Sequence, residues 1–163
     1  MIIIRSSHEL HISAPAPAAG IPDCEVWLAS MSDSGWRVLT DFRNWSNWIP
    51  GIQSVQHADQ EPPARGTLLQ IKKGNSETIC SIDSWDPPCN LQFSMGLGGG
   101  EIAYDFHIEA NHRGAEIHLA LNLERSLNGL APVFAFFMKR QLQSLGKQVL
   151  ENLASRLRPA RNL

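Results

Sequence analysis

Residues 34–55 read SGWRVLTDFRNWSNWIPGIQSV and decide the fold. Ser34 and its predecessors offer side chains that accept the first free N–H groups of a helix. The pair Pro50-Gly51 ends a helical pattern, and an alternation typical of a strand begins after it. The stretch therefore predicts two short helices joined at a bend, followed by a turn into a strand.

Several other stretches have the alternation of β-strands, with turn residues between them. One of the turns is the hairpin signal Gly74-Asn75. A candidate first strand, residues 24–31, precedes the helices. The strands predicted after the helices are residues 52–57, 67–73, 76–85 and 89–95. The glycine-rich residues 96–100 lack the lysine of a phosphate-binding loop, so we interpret them as a flexible hairpin loop.

The clearest hairpin has its turn at residues 111–114. Apolar and polar residues alternate in both arms, which predicts an antiparallel sheet covered on one side only. A two-residue loop places His107 opposite His118 and Glu109 opposite Glu116 on the outer face. Imidazoles and carboxylates are ligands of Zn²⁺ and Ni²⁺. A solvated sheet face is the simpler interpretation, however, and we predict no metal site.

Residues 130–157 are predicted to form one long helix, which Arg158-Pro159 ends. Apolar residues recur there at every third or fourth position, the pattern of a helix with one buried face. They are Leu130, Phe134, Phe137, Met138, Leu142, Leu145, Val149, Leu153 and Leu157. The apolar face of the sheet needs a cover, and this helix is the element that can supply it. The predicted class is therefore α+β, with the C-terminal helix on the sheet.

The ordered set of features resembles the START-like superfamily, also called SRPBCC, and within it the polyketide cyclase/dehydrase group. The resemblance covers about residues 23–157 and is strongest over residues 36–51, with LTD at 39–41 and WIPG at 48–51. It implies the helix-grip fold, a curved antiparallel sheet wrapped around a long C-terminal helix, with two short helices after the first strand. It also implies an internal pocket for a hydrophobic ligand, but no shared set of catalytic residues.

The implied pocket lies between the long helix and the concave face of the sheet. Apolar residues with a few polar groups suit a small hydrophobic ligand there. The predicted ligand-binding residues are Trp45, Trp48, Phe93, Met95, Tyr104, Phe106, Leu119, Phe134, Phe137 and Met138. For each of them, ordinary core packing is the alternative. We expect Trp45 and Trp48 to lie at the pocket mouth, connected to the surface.

Polar groups near this pocket are few. Tyr104 is the only tyrosine, and its hydroxyl needs a partner if it is buried; that partner is a ligand or, more simply, backbone or water. Asp41 and Arg43 lie at the predicted bend, where they address a ligand at the entrance or form a local ion pair or cap. The sequence therefore predicts orientation of a ligand more readily than a catalytic set.

Three functions fit these features. The first, which we favour, is binding of a lipid, polyketide or aromatic metabolite in the internal cavity. The second is an enzyme of the polyketide cyclase/dehydrase type, in which a polar group of the same pocket moves a proton. The third is a protein-interaction module without a pocket. No cofactor is predicted, and whether the protein is an enzyme stays open.

The composition excludes some classes of protein. The net charge of −2 leaves no basic excess for nucleic acid, and no stretch approaches the roughly 20 apolar residues of a membrane span. The three cysteines have no spacing typical of metal ligands, which predicts reduced thiols and a cytoplasmic protein. We expect a monomer or a homodimer.

A length of 163 residues suits one domain. We predict that residues 1–22 are an N-terminal extension that ends in a proline- and alanine-rich linker, and that residues 23–158 are the domain. Residues 159–163 are predicted to be a tail. Residues 2–4, three isoleucines, are either an added edge strand or disordered.

Overall fold

A computed structural model describes residues 2–13, 33–57, 62–97, 100–111, 114–125 and 131–157. For residues 2–13 and 131–135, and at a few strand ends, it describes the backbone alone. The predicted strand at residues 24–31, the tail at 159–163 and most of the predicted linker lie outside the described residues.

From residue 33 onward, the described elements follow the predicted order: a short helical segment, a run of strands and a long terminal helix. Helix α1 includes residues 33–40, and a 3₁₀ helix, Phe42–Asn47, follows it. The strands are β1 (Ile2–Ser13), β2 (Ser54–His57), β3 (Leu68–Lys73), β4 (Ser76–Asp86), β5 (Asn90–Leu97), β6 (Gly100–Asn111) and β7 (Gly114–Arg125). The long helix α2 is Ala131–Leu157. The predicted strands after the bend and the terminal helix are confirmed to within a few residues at their ends.

These seven strands form one antiparallel sheet in the order β1-β7-β6-β5-β4-β3-β2. β1 pairs with β7 along its whole length, from Ile2 opposite Arg125 to Ser13 opposite Gly114. Of the two alternatives for the first isoleucines, the edge strand is therefore the one observed. A domain boundary near Asp23 leaves out this strand, although the strand belongs to the same sheet as the rest of the fold.

The register of the β6–β7 hairpin confirms the predicted pairing. His107 lies opposite His118, and Glu109 lies opposite Glu116. The two imidazole centroids are 6.4 Å apart, and His107 Nε2 is 3.2 Å from Glu109 Oε1. Among the described residues, no group of three or more His, Cys, Asp and Glu side chains is arranged to hold a metal ion.

One face of the sheet, called the inner face here, carries the core. Its buried residues alternate along each strand, as the period of a half-covered sheet requires. They are Leu69, Ile71, Cys80, Ile82, Leu91, Phe93, Met95, Ile102, Tyr104, Phe106, Ile108, Ile117, Leu119, Leu121 and Leu123. Helix α2 contacts β1 and β7 and buries Leu142, Val149 and Leu153. The structure is thus the predicted α+β helix-grip fold, with a curved sheet around the long helix.

The bend in the first helical segment has a specific hydrogen-bond pattern. Thr40 Oγ1 donates to the oxygen of Trp36 at 2.8 Å, and Ile49 N donates to the oxygen of Trp45 at 2.8 Å. The chain then leaves through Gly51, whose φ of +84° lies in the left-handed region that favours glycine. The turn therefore places β2 beside β3.

Candidate functional site

A central aromatic cluster fills the middle of the inner face. Its members touch one another edge to face or stacked: Phe42, Trp45, Trp48, Phe93, Tyr104 and Phe106. Phe93 stacks on Tyr104 at 4.8 Å and lies 4.3 Å from Trp45 between ring centroids. Five predicted ligand-binding residues are thereby brought together. They contact each other directly, so much of the expected lining is packed core.

The two tryptophans of the bend do not lie at the surface. Trp45 is 0% exposed and Trp48 is 1% exposed, which corrects the expectation of a surface-connected pair. Trp45 is held inside because its ring packs on Phe93 and its Nε1 donates to the oxygen of Leu39 at 2.7 Å. Trp48 is covered by α2, where Asn152 Nδ2 donates to its backbone oxygen at 3.2 Å.

The other predicted ligand-binding residues lie on the inner face and on α2. Met95 and Leu119 are buried on the inner face, and Met138 is buried on α2. Phe137 is instead 56% exposed. Phe134 lies in α2, and its side chain is outside the described residues.

An open groove of about 320 Å³ lies between α2 and the start of β6. Its floor is apolar, formed by Ile102, Met138, Leu142 and Leu145. Amide and hydroxyl side chains form its rim: Gln141, Ser144 and Gln148. We call it the helix groove. An apolar floor with a few polar groups at the edge is typical of small-molecule sites, and this volume is at the small end of their range.

Lys73, the last residue of β3, is a polar group on the inner face that the sequence alone did not single out. It shares the side of the strand that carries Leu69 and Ile71, and its Nζ lies 4.0 Å from Met95 Sδ. The side chain is half-buried, and burial lowers the pKa of the ammonium from its usual 10.5. The i, i+2, i+4 spacing of these three residues was the signal that could have identified it.

Burial raises the pKa of two groups on the inner face, the Cys80 thiol and the Tyr104 hydroxyl. Burial, with the charge of Asp83 as a smaller cause, raises the pKa of the Cys80 thiol to about 12. Burial, with Cys80 as a smaller cause, raises the pKa of the Tyr104 hydroxyl well above its usual 10.0. Both groups are therefore neutral at physiological pH, so Tyr104 is able to donate a hydrogen bond but is a poor base.

A second groove, of about 300 Å³, is lined mainly by polar residues where α1 meets the end of α2. Its lining consists of Arg37, Val38, Asp41, Asn44, Trp48 and Arg156. Asn44 Nδ2 donates to Asp41 Oδ2 at 2.6 Å, and both Asp41 and Arg43 are exposed. The indole Nε1 of Trp48 is buried and has no hydrogen-bond partner in the described part of the chain. It is the one buried side-chain polar atom without a partner among the described residues.

Comparisons with known proteins agree on one family and one fold. The family model for polyketide cyclase / dehydrase and lipid transport matches residues 33–158. A search of curated proteins found no match. Of the helices in the described part of the chain, none has the length and apolar character that crossing a membrane requires.

Solved structures share the fold at low sequence identity. The Zhui aromatase/cyclase from Streptomyces sp. R1128 is 12% identical, with a TM-score of 0.66 over 99% of this chain and 100% of that one. A di-domain ARO/CYC, StfQ, from the steffimycin biosynthetic pathway is 9% identical, with a TM-score of 0.68 over 94% of this chain and 50% of that one. A START superfamily protein from Mycobacterium smegmatis is 13% identical, with a TM-score of 0.60 over 94% and 97%.

The family match covers the bend, the sheet from β2 to β7 and the long helix, and the structural likeness includes β1 as well. The chain therefore belongs to the polyketide cyclase/dehydrase and lipid transport family.

Proposed function

We propose that this protein binds a small hydrophobic ligand, such as a lipid, polyketide or aromatic metabolite, in the helix groove. The observation that carries the proposal is the groove itself, whose apolar floor is formed by Ile102, Met138, Leu142 and Leu145. Burial of an apolar ligand there contributes about 25 cal/mol for each Å² removed from water, before the costs of ordering are subtracted. The family description, which includes lipid transport, supports the same class of ligand.

The proposal differs from the pocket that the sequence predicts. The central aromatic cluster packs on itself, so the ligand is placed beside it, between α2 and β6. Of the predicted residues, Met138 lines the groove, and Met95 pairs with Ile102, which also lines it. Methionine side chains adapt easily to ligands of irregular shape.

The test places a large side chain at the rim of the groove, where it would occupy the space of the ligand. Ser144 is exposed and lines the groove, whereas Gln143 is exposed and does not line it. Ser144→Trp should therefore weaken saturable binding of the neutral apolar dye Nile red by about tenfold or more, and Gln143→Trp should leave it unchanged. Native mass spectrometry of the wild-type protein, followed by denaturing extraction, should recover a co-purifying hydrophobic molecule. If the spectrum shows the protein alone, that protein should bind the dye saturably.

The proposal is overturned if the wild-type protein neither carries such a molecule nor binds the dye saturably. In that case the interaction-module hypothesis takes first place. Equal binding by Ser144→Trp and the wild type would also overturn it, because the ligand would then lie elsewhere.

The enzyme alternative has support from a particular residue. Tyr104 is an interior hydroxyl that stays protonated, and it lies on the same strand as Ile102, two residues away. Aromatase/cyclases among the structural neighbours make this alternative concrete. Under it, Tyr104→Phe abolishes turnover of a polyketide-like substrate and leaves binding intact. Under the binding proposal, the same change alters neither the dye affinity nor the ligand recovered. A cytoplasmic location and a monomeric or homodimeric state complete the proposal.

A further inference from the structure

A positive charge at the half-buried Lys73 costs free energy, and no salt bridge in the described part of the chain offsets that cost. The side chain is half-buried. Among the residues that the structure describes, no carboxylate is paired with its ammonium. Partial burial of an unpaired charge disfavours the charged form, which is why the pKa of this ammonium is lowered. An anion brought by a ligand would offset that cost.

The packing around Lys73 positions the ammonium at the end of the inner face. A Cβ atom on Gly51 would lie 3.6 Å from Lys73 Cε, so the aliphatic stem runs against the Pro50-Gly51 turn. Gln53 N donates to the oxygen of Lys72 at 2.8 Å and ties this turn to β3. The side chain is thus directed inward, toward the buried Met95.

Met95 connects the ammonium to the helix groove. Its Sδ is 4.0 Å from Lys73 Nζ, and it pairs with Ile102 of β6, which lines the groove. Lys73 lies on β3 and Ile102 on β6, with β4 and β5 between them, and Met95 is the side chain that neighbours both the ammonium and the groove-lining Ile102. Met95 is 1% exposed, so an elongated ligand in the groove reaches the ammonium with its polar end when the flexible Met95 side chain moves aside.

The single ammonium at this site favours a ligand that carries one negative charge. Lys72 faces the opposite side of β3 and is exposed, and the buried inner-face residues among the described part are all uncharged. One ammonium matches one carboxylate, whereas phosphate groups are commonly held by several cationic or N–H donors.

We propose that the ligand is a hydrophobic carboxylic acid, with its apolar body in the helix groove and its carboxylate paired with the ammonium of Lys73. This inference rests on the proposed function, because it names the chemical class of ligand for the same groove.

The experiment compares decanoate with 1-decanol by isothermal titration calorimetry at pH 7.5. The two probes share an alkyl chain and differ in the charge of the head group. The wild-type protein should bind decanoate about tenfold or more tightly than decanol. Lys73→Met should remove this preference, and Lys73→Arg should keep most of it. Lys72→Met, a change of the neighbouring residue on the opposite face, should behave as the wild type.

The outcomes separate this inference from the proposed function. Equal affinity of the wild-type protein for the two probes overturns the carboxylate inference and leaves the hydrophobic site standing. An undiminished preference in Lys73→Met also overturns it. Failure of both probes to bind overturns the proposed function together with the inference. Because the wild-type comparison needs no variant, the result does not depend on the folding of Lys73→Met.

Discussion

The indole Nε1 of Trp45 donates a hydrogen bond to the backbone oxygen of Leu39 at 2.7 Å, inside the core. Leu39 lies in the last turn of α1, where carbonyl groups have no partner within the helix. A tryptophan that follows the bend therefore completes the end of the preceding helix. The same ring packs on Phe93 of the sheet and so attaches the bend to the inner face.

This relationship predicts different costs for the same change at two buried tryptophans. Trp45→Phe leaves the oxygen of Leu39 without a partner, whereas Trp48→Phe removes an Nε1 that has no partner in the described part of the chain. We expect Trp45→Phe to lower the free energy of unfolding by about 1–3 kcal/mol more than Trp48→Phe. Urea denaturation followed by circular dichroism measures both. Equal losses would show that the hydrogen bond of Trp45 contributes little.

The second prediction concerns stability at alkaline pH. The folded-state pKa of Cys80 is raised from 9.0 to about 12, and that of Tyr104 is also raised above its ordinary 10.0. Above its ordinary pKa, the unfolded chain loses the proton that the folded protein retains. The stabilisation is therefore complete below about pH 9 and is lost as the pH rises through the raised values.

For Cys80, the free energy of unfolding should fall by roughly one kcal/mol per pH unit between pH 9 and 12. Cys80→Ala should flatten this part of the curve, because the group that titrates is gone. Cys89→Ser is the matched control, since the Cys89 thiol is exposed. Chemical denaturation at a series of pH values gives the slopes. A slope for Cys80→Ala as steep as that of the wild type would contradict the prediction.

The third prediction separates two phenylalanines of the predicted ligand-binding set. Phe106 is fully buried in the central aromatic cluster, and Phe137 is more than half exposed on α2. Phe106→Ala should cost about 3–5 kcal/mol of the free energy of unfolding, because it leaves a cavity. Phe137→Ala should change that free energy by less than about 0.5 kcal/mol. A large loss at Phe137 would mean that this ring is covered in solution, for instance by a second subunit.

Much of the fold follows from local patterns. The alternation along β6 and β7 was strong enough to predict the register, down to His107 opposite His118. The helical spacing of apolar residues predicted α2, because one face of a long helix must be buried. The segment Ile2–Ser13 was harder to interpret. A strand at the edge of a sheet is recognised by its partner, and β7 lies more than a hundred residues away in the chain.

The candidate site followed from the sequence only in part. An apolar residue on the inner face carries the same signal whether it packs on a neighbour or lines a groove, so the aromatic cluster and the groove could not be separated. Lys73 was missed for a related reason: lysine at a strand end is normally exposed, whereas here the turn at Gly51 and the contact with Met95 leave it half-buried.

The sequence by itself determined most of the helices and strands from residue 33 onward and the apolar face of each, and therefore the α+β class with the long helix on the sheet, because these properties depend on residues a few positions apart. The helix-grip shape came from the family resemblance. The tertiary structure alone decided that Trp45 and Trp48 are buried, that Phe137 is exposed, and that the groove lies between α2 and Ile102. These outcomes depend on how closely α2, the bend and the sheet approach one another, and that distance is set by the packing of side chains far apart in the chain.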